Sequence, residues 1–135
     1  MSEVLLEVRK QVNDLREALG ELKAAFADVE KAVEEGNWES YAERLMQFEK
    51  LWGNYYIYLR NSIQAMKERI EGSTLDKESV LKESGFFEFE EELSRVSVEV
   101  VEKIRIFKRV LRGKIARLER MKELLGNYGR LELSL

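Results

Sequence analysis

The sequence predicts an all-α protein, an extended antiparallel three-helix bundle with coiled-coil-like packing. Three observations lead to this prediction. Apolar residues recur at spacings of three and four in three long segments, the chain contains no proline, and glycines lie where those segments meet. A chain of 135 residues has the size of one ordinary domain, so we expect a single helical domain over residues 1–135.

The first predicted helix covers about residues 3–35. Its apolar residues form one seam in which spacings of three and four alternate: Leu5, Val8, Val12, Leu15, Leu19, Leu22, Phe26, Val29 and Val33. Such a seam is typical of coiled-coil packing. Ala18, Ala25 and Ala32 each precede a seam residue by one position, which widens the apolar stripe and leaves room for a close neighbouring helix.

The second predicted helix covers about residues 37–71 and begins after Gly36, with Asn37 as its N-terminal cap. The short connection predicts an antiparallel hairpin. Gly53 lies inside the apolar pattern and is not expected to end the helix, whereas Gly72 is. The seam continues as Trp38, Tyr41, Leu45, Phe48, Trp52, Tyr55, Leu59, Ile63, Met66 and Ile70, with one extra four-residue step from Leu59 to Ile63.

A connector covers residues 72–85, and within it Asp76 to Ser84 could form a short fourth helix closed by Gly85. The third long helix is predicted at about residues 86–125, before Gly126. Its apolar stripe has an eleven-residue period, which predicts a nearly straight helix: Leu93, Val96, Val100, Ile104, Phe107, Leu111, Ile115 and Leu118. The tail covers residues 126–135, and its last six residues alternate as in a strand.

The composition argues against catalysis. The chain has no cysteine and no histidine, which removes thiolate chemistry, the commonest general base at neutral pH and the commonest metal ligand. The glutamates at positions 88 and 90–92 lack the histidines that accompany glutamates in di-metal bundles. We therefore expect no enzyme, no catalytic residue, no cofactor and no metal site.

The sequence also suggests where the protein works. No apolar run approaches the ~20 residues needed to cross a bilayer, and the first residues lack the pattern of a signal peptide, so we expect a cytoplasmic protein. Abundant glutamate, lysine and arginine with little glutamine suggest a thermophilic source.

One part of the third long helix is strongly basic. Between residues 103 and 122 nine basic residues face one acid: Lys103, Arg105, Lys108, Arg109, Arg112, Lys114, Arg117, Arg120 and Lys122, against Glu119. A basic helix that binds nucleic acid or an anionic membrane is one alternative. We favour neutralisation by the helix dipole and by acids of the other helices (Glu30, Glu34, Glu35, Glu39 and Glu43), so neither nucleic acid nor membrane is an expected partner.

Several apolar residues lie outside the seams. Leu51 and Tyr58 lie seven residues apart on one face of the second helix, and Val98 and Val101 lie off the main stripe of the third. Their burial is not obviously supplied by three helices, so either the connector, the tail or a second copy covers them, or they bind a partner. These four residues are our predicted partner-binding site, with a homo-oligomer as a further expectation.

Several features resemble one known family. The Glu34-Glu35-Gly36-Asn37 hinge, the Phe48-Glu49-Lys50-Leu51 stretch and Tyr128-Gly129 after the last helix resemble the FlgN-type chaperones of flagellar export. The resemblance spans the whole chain. It implies a cytoplasmic chaperone that holds the amphipathic C-terminal helix of a secreted hook-filament junction subunit. The alternative is a structural coiled-coil scaffold that self-associates.

Overall fold

A computed structural model of the chain describes the backbone of residues 2–134 and the side chains of residues 2–126. The protein is all-helical, and helices make up 91% of it. The helices are α1 (Glu3–Glu34), α2 (Trp38–Glu71), α3 (Lys77–Glu83) and α4 (Phe86–Ser134). The all-α class and the short fourth helix in the connector are confirmed. The first two helices agree with their predicted bounds to within one residue.

The chain divides into two compact units, residues 1–98 and residues 99–135. The first unit contains α1, α2, α3 and the beginning of α4, and the second unit contains the rest of α4. The expectation of a single domain over residues 1–135 stays a prediction.

The turn between α1 and α2 follows directly from two residues. Gly36 has a φ of 69°, a conformation that residues with a Cβ rarely adopt, and its N–H donates to the Val33 carbonyl at 3.0 Å. The N–H of Asn37 donates to the Ala32 carbonyl at 3.0 Å, which completes a Schellman motif. The Asn37 side chain then accepts from the Ser40 N–H and caps α2. The chain reverses within three residues, as predicted.

Polar contacts establish that α1 and α2 run antiparallel. The Tyr55 hydroxyl donates to the Leu15 carbonyl, and the Arg44 guanidinium donates to the Asp28 carbonyl. Residues later in α1 therefore face residues earlier in α2. The predicted α1 seam is buried from Leu5 to Val29. At its last step Ala32 is buried in place of the predicted Val33, where the chain reverses.

The extra four-residue step in the α2 seam is present, but it lies between Met66 and Ile70 and not between Leu59 and Ile63 as predicted. Ser62 is half-buried, whereas Ile63 is 37% exposed, so the spacings of four and three continue through Leu59, Ser62 and Met66. The side that faces α1 is set by helix geometry, and an isoleucine one position away does not change it. The fully buried α2 residues are Tyr41, Phe48, Tyr55, Met66 and Ile70.

The short helix α3 and the beginning of α4 pack beside α1. Asp76 caps α3 by accepting from the Ser79 N–H, and Gly85, with a φ of 84°, links α3 directly to α4. Arg16 pairs with Glu88 at 3.3 Å and Lys23 with Glu92 at 2.7 Å. The pairs follow the same order along both helices, so this part of α4 runs parallel to α1.

The apolar stripe of α4 begins earlier than predicted. Phe86 and Phe89 are buried, and Phe89 is only 1% exposed. With Leu93, Val96 and Val100 they continue spacings of three and four, so the sequence already contained this signal. Burial of two phenylalanines ties the start of α4 to the core of the first unit.

The predicted end of the last long helix is wrong, because α4 continues through Gly126 to Ser134. The strand-like reading of the last six residues is also wrong up to Ser134, and Leu135 lies outside the described residues. A glycine inside a helix costs only about 1 kcal/mol relative to alanine, so it ends a helix only when the backbone turns there. Among the described residues only Gly36 and Gly85 have a positive φ.

Phe89→Ala should lower the free energy of unfolding by about 3–5 kcal/mol, because it opens a cavity in the core of the first unit. Phe87→Ala is the matched control, since Phe87 is 43% exposed, and it should cost less than about 1 kcal/mol. Denaturant titration followed by circular dichroism measures both. Equal losses in the two variants would contradict the assigned α4 register.

Candidate functional site

A groove runs along the α1–α2 hairpin in the first unit. We call it the outer groove. It consists of two cavities of about 210 and 350 Å³ that share Leu51. The first is lined by Ala18, Glu21, Leu22, Leu51, Asn54, Tyr55 and Tyr58, and the second by Ala25, Asp28, Lys31, Arg44, Gln47, Phe48 and Leu51.

The outer groove lies on a different face of α1 from the one that contacts α4. Arg16 and Lys23 pair with α4, whereas Ala18 and Ala25, each two residues further along, line the groove. Two residues correspond to a rotation of roughly 200° around a helix axis. The start of α4 therefore leaves this side of the hairpin open.

The floor of the groove is rigidly packed. The Tyr55 hydroxyl donates to the Leu15 carbonyl at 3.0 Å, which fixes the ring against α1. The Phe48 ring lies 5.1 Å from the Phe26 ring and 5.8 Å from the Trp52 ring, centroid to centroid. Aromatic contacts of this kind add stabilisation beyond the area they bury. A bound molecule would therefore meet a preformed surface.

The two walls differ in a way that suits a helix. On α1 the wall carries Ala18 and Ala25, whose small side chains allow a neighbouring backbone to come close. On α2 it carries Leu51 and Tyr58, which are 48% and 43% exposed. The α1 residues are seven apart and so are the α2 residues, which is the repeat of a packed helix.

The charges of the groove are mixed. Glu21 lines the first cavity, and Asp28, Lys31 and Arg44 line the second. Arg44 is held in place because it donates to the Asp28 carbonyl at 2.9 Å. A ligand with an apolar stripe and polar flanks of both signs would match this lining.

The four predicted binding residues are all exposed, and two of them line the outer groove. Leu51 and Tyr58 line the outer groove together. Val98, in the first unit, is exposed on α4 and does not line it, and Val101 is exposed in the second unit. The sequence analysis did not assign Glu21 and Asp28 of α1 to the groove. It also did not assign the polar α2 residues Arg44, Gln47 and Asn54. Their spacing of three and four beside Ala18 and Leu51 was the available signal.

Among the described residues, three ionisable groups have shifted pKa values. Burial raises the pKa of Tyr41, and Glu49 contributes. A hydrogen bond from Lys23 lowers the pKa of the Glu92 carboxyl, with burial opposing and Lys23, Arg16 and Arg95 adding to the effect. Burial raises the pKa of Tyr55 to about 12, and the nearby Tyr58 and Glu92 contribute. The three shifts favour neutral Tyr41 and Tyr55 and charged Glu92, the forms expected at neutral pH, and none of them places a proton donor or acceptor near neutral pH.

Further features bear on the kind of site. Among the described residues no cluster of three acidic side chains could hold a metal ion. Within the same residues, no helix is both long and apolar enough to cross a membrane. The outer groove offers shape, apolar area and flanking charge, which are the means by which a protein binds a helix.

Tyr55→Phe should lower the free energy of unfolding by about 1 kcal/mol, because it removes the hydrogen bond to Leu15. The raised pKa of Tyr55 also makes the stability depend on pH. The stabilisation is fully present below pH 10, the ordinary tyrosine pKa, and is lost as pH rises towards 12. Denaturant titrations across that range should therefore show a smaller decline for Tyr55→Phe. Tyr56→Phe, at an exposed position, is the control and should behave as the unsubstituted protein. An identical decline in all three proteins would contradict the assignment.

Comparison with known proteins adds no assignment. The resemblance to FlgN-type chaperones stays a prediction, and the function must be argued from the outer groove. No family model, no curated protein and no solved structure matches this chain.

Proposed function

We propose that this protein is a non-catalytic binding protein whose outer groove holds an amphipathic helix. One observation carries the proposal: two exposed apolar side chains, Leu51 and Tyr58, converge with the alanines of α1 along an open hairpin face. The groove extends from Ala18 to Lys31 on α1, roughly 20 Å at the helical rise, enough for about four turns of a bound helix. The apolar stripe of that helix would contact the α2 wall.

The proposed framework is an extended antiparallel three-helix bundle. The polar contacts of Tyr55 and Arg44 support an antiparallel α1–α2 pair, and the ion pairs of Arg16 and Lys23 support a start of α4 parallel to α1. In that arrangement the start of α4 lies on one face of the hairpin and a bound helix on another. The bundle would then present the groove without help from the ligand.

The partner we propose is a secreted protein subunit. The resemblance to FlgN-type chaperones supports the amphipathic C-terminal helix of a flagellar hook-filament junction subunit, held in the cytoplasm before export. Covering such a helix would prevent premature assembly, and this mechanism needs no cofactor. We also propose that the protein comes from a thermophile, because its composition suggests a thermophilic source.

A self-associating scaffold is the second candidate. The exposed apolar residues of α2 favour it, since they continue beyond the groove: Met46, Tyr56, Ile57 and Ile63. Exposed apolar area of this extent is often an interface. In the scaffold the outer groove would be covered permanently by a second copy.

The double variant Leu51→Ser/Tyr58→Ser should weaken binding of an amphipathic C-terminal peptide from a hook-filament junction subunit at least about tenfold, because it removes the apolar contacts of the groove. The matched control is Met46→Ser/Tyr56→Ser, one aliphatic and one tyrosine residue exposed on the same helix outside the groove lining. Isothermal titration measures affinity, and thermal unfolding establishes that both variants fold. If the control loses as much affinity as the groove variant, or if no such peptide binds the unsubstituted protein, the proposal is wrong.

Sedimentation equilibrium distinguishes the scaffold from the chaperone. A scaffold should sediment as a dimer or larger species at micromolar concentration, and Leu51→Ser/Tyr58→Ser should convert it to a monomer, because the same side chains would form the interface. A monomer that binds the peptide would eliminate the scaffold. A dimer that the substitutions do not change would place self-association elsewhere on the chain.

A further inference from the structure

The second unit contains a helical segment with an unusual surface, which we call the basic α4 segment, residues 101–126. None of its residues is fully buried. It carries the nine basic residues between positions 103 and 122, against Glu119 within that stretch. Residues 99–135 hold 10 basic and 5 acidic residues, whereas residues 1–98 hold 13 and 21. Positive charge is therefore concentrated in the second unit of an otherwise acidic protein.

Most apolar residues of the basic α4 segment are also exposed, apart from the half-buried Ile104, Phe107 and Leu111, and the exposure is largest towards the end of the segment. Ile115 is 47% exposed, and Leu118 is 65% exposed. The other exposed apolar residues of this segment are Val101, Ile106, Val110, Met121, Leu124 and Leu125. An acidic or polar ligand alone would leave this apolar area in water. The ligand must therefore offer both negative charge and an apolar phase.

The apolar residues of the basic α4 segment are spread widely around the helix axis. At ~100° per residue, the apolar side chains from Ile104 to Leu125 occupy about half of the helix circumference. A single coiled-coil partner covers a narrower seam, whereas a helix lying in a bilayer interface buries a wide sector. Five basic residues occupy the other half, and all five are exposed: Arg105, Lys108, Arg109, Arg112 and Arg120. The remaining four, Lys103, Lys114, Arg117 and Lys122, fall within the apolar half, where long basic side chains extend along an apolar surface and keep their charged ends in a polar layer.

We propose that the basic α4 segment lies in the plane of an anionic lipid surface, with its apolar half in the acyl boundary and its arginines at the headgroups. Charge complementarity selects the lipid, because phosphate headgroups of anionic lipids attract clustered lysine and arginine side chains. The exposed Leu118, Leu124 and Leu125 distinguish lipid from nucleic acid, since a polyanion makes no use of them. At the helical rise the segment is roughly 39 Å long, enough for in-plane binding by one continuous helix. This proposal is independent of the outer groove.

The test is co-sedimentation of the full chain with vesicles of two compositions. One is an equal mixture of phosphatidylglycerol and phosphatidylcholine, and the other is phosphatidylcholine alone. We expect binding to the first only, and its loss as salt is raised, since salt screens the attraction between exposed arginines and headgroups. Equal binding to both vesicles, or no binding to either, would overturn the proposal.

Two substitutions separate the charge from the apolar face. Arg109→Gln/Arg112→Gln/Arg120→Gln should weaken vesicle binding roughly a hundredfold, whereas the control Lys10→Gln/Lys50→Gln/Lys67→Gln, an equal loss of charge from exposed lysines of the first unit, should change it little. Equal weakening by both triple variants would overturn the assignment to this segment.

Leu118→Ser/Leu125→Ser should also abolish binding, and it should leave thermal unfolding unchanged because both side chains are exposed. Met46→Ser/Tyr56→Ser is its control in the first unit. If the leucine variant still binds, the contact is a surface charge effect and the in-plane helix is wrong. If duplex or single-stranded DNA binds more tightly than the anionic vesicles, nucleic acid is the ligand and the proposal is overturned.

Discussion

The described structure of the first unit depends on one interface, the seam between α1 and α2. The α1 seam is buried continuously from Leu5 to Val29, over a helix of 32 residues. Isolated helices gain little stability in water, so burial of this apolar stripe is what makes both helices persist. The hydrogen bond from Tyr55 to Leu15 fixes the register of the pair. The groove, the position of α3 and the start of α4 are all built on this hairpin.

The same interface explains why the groove exists. Two helices packed along one seam leave a furrow on each side, and here the start of α4 contacts α1 near Arg16 and Lys23. The furrow on the Ala18 side stays open because small residues on α1 do not fill it. Leu51 and Tyr58 lie at its edge, so their exposure follows from the packing that buries Phe48 and Tyr55.

Periodicity predicted most of the fold, because the dominant interface is a regular repeat. The hinge at Gly36 and the caps at Asn37 and Asp76 were also readable, since each depends on local chemistry. The errors in the predicted seams arose where either of two neighbouring residues could face the partner helix. Ile63 was preferred to Ser62 on hydrophobicity, although geometry decides which of them faces α1. The last long helix was wrongly predicted to end before Gly126, because glycine permits a turn without requiring one.

The candidate site was less predictable than the fold for a related reason. A sequence identifies surplus apolar residues such as Leu51, Tyr58, Val98 and Val101, but it does not say which of them share a surface. Leu51 and Tyr58 share the outer groove, which stays open because the start of α4 contacts another face of α1.

Counting charges does not explain the whole surface of the basic α4 segment. We favoured neutralisation of its lysines and arginines by acids elsewhere in the chain, and neutralisation alone leaves the exposed Leu118, Leu124 and Leu125 unexplained. A partner for this segment must account for both kinds of side chain. Apolar burial grows with area, and attraction between exposed charges falls within about 10 Å at 0.1 M salt. A lipid surface supplies both contributions at the same place, since its phosphates and acyl chains lie within one side-chain length of each other. Basic residues such as Arg109 and Arg112 on one half of the helix and the leucines on the other are then parts of one binding surface.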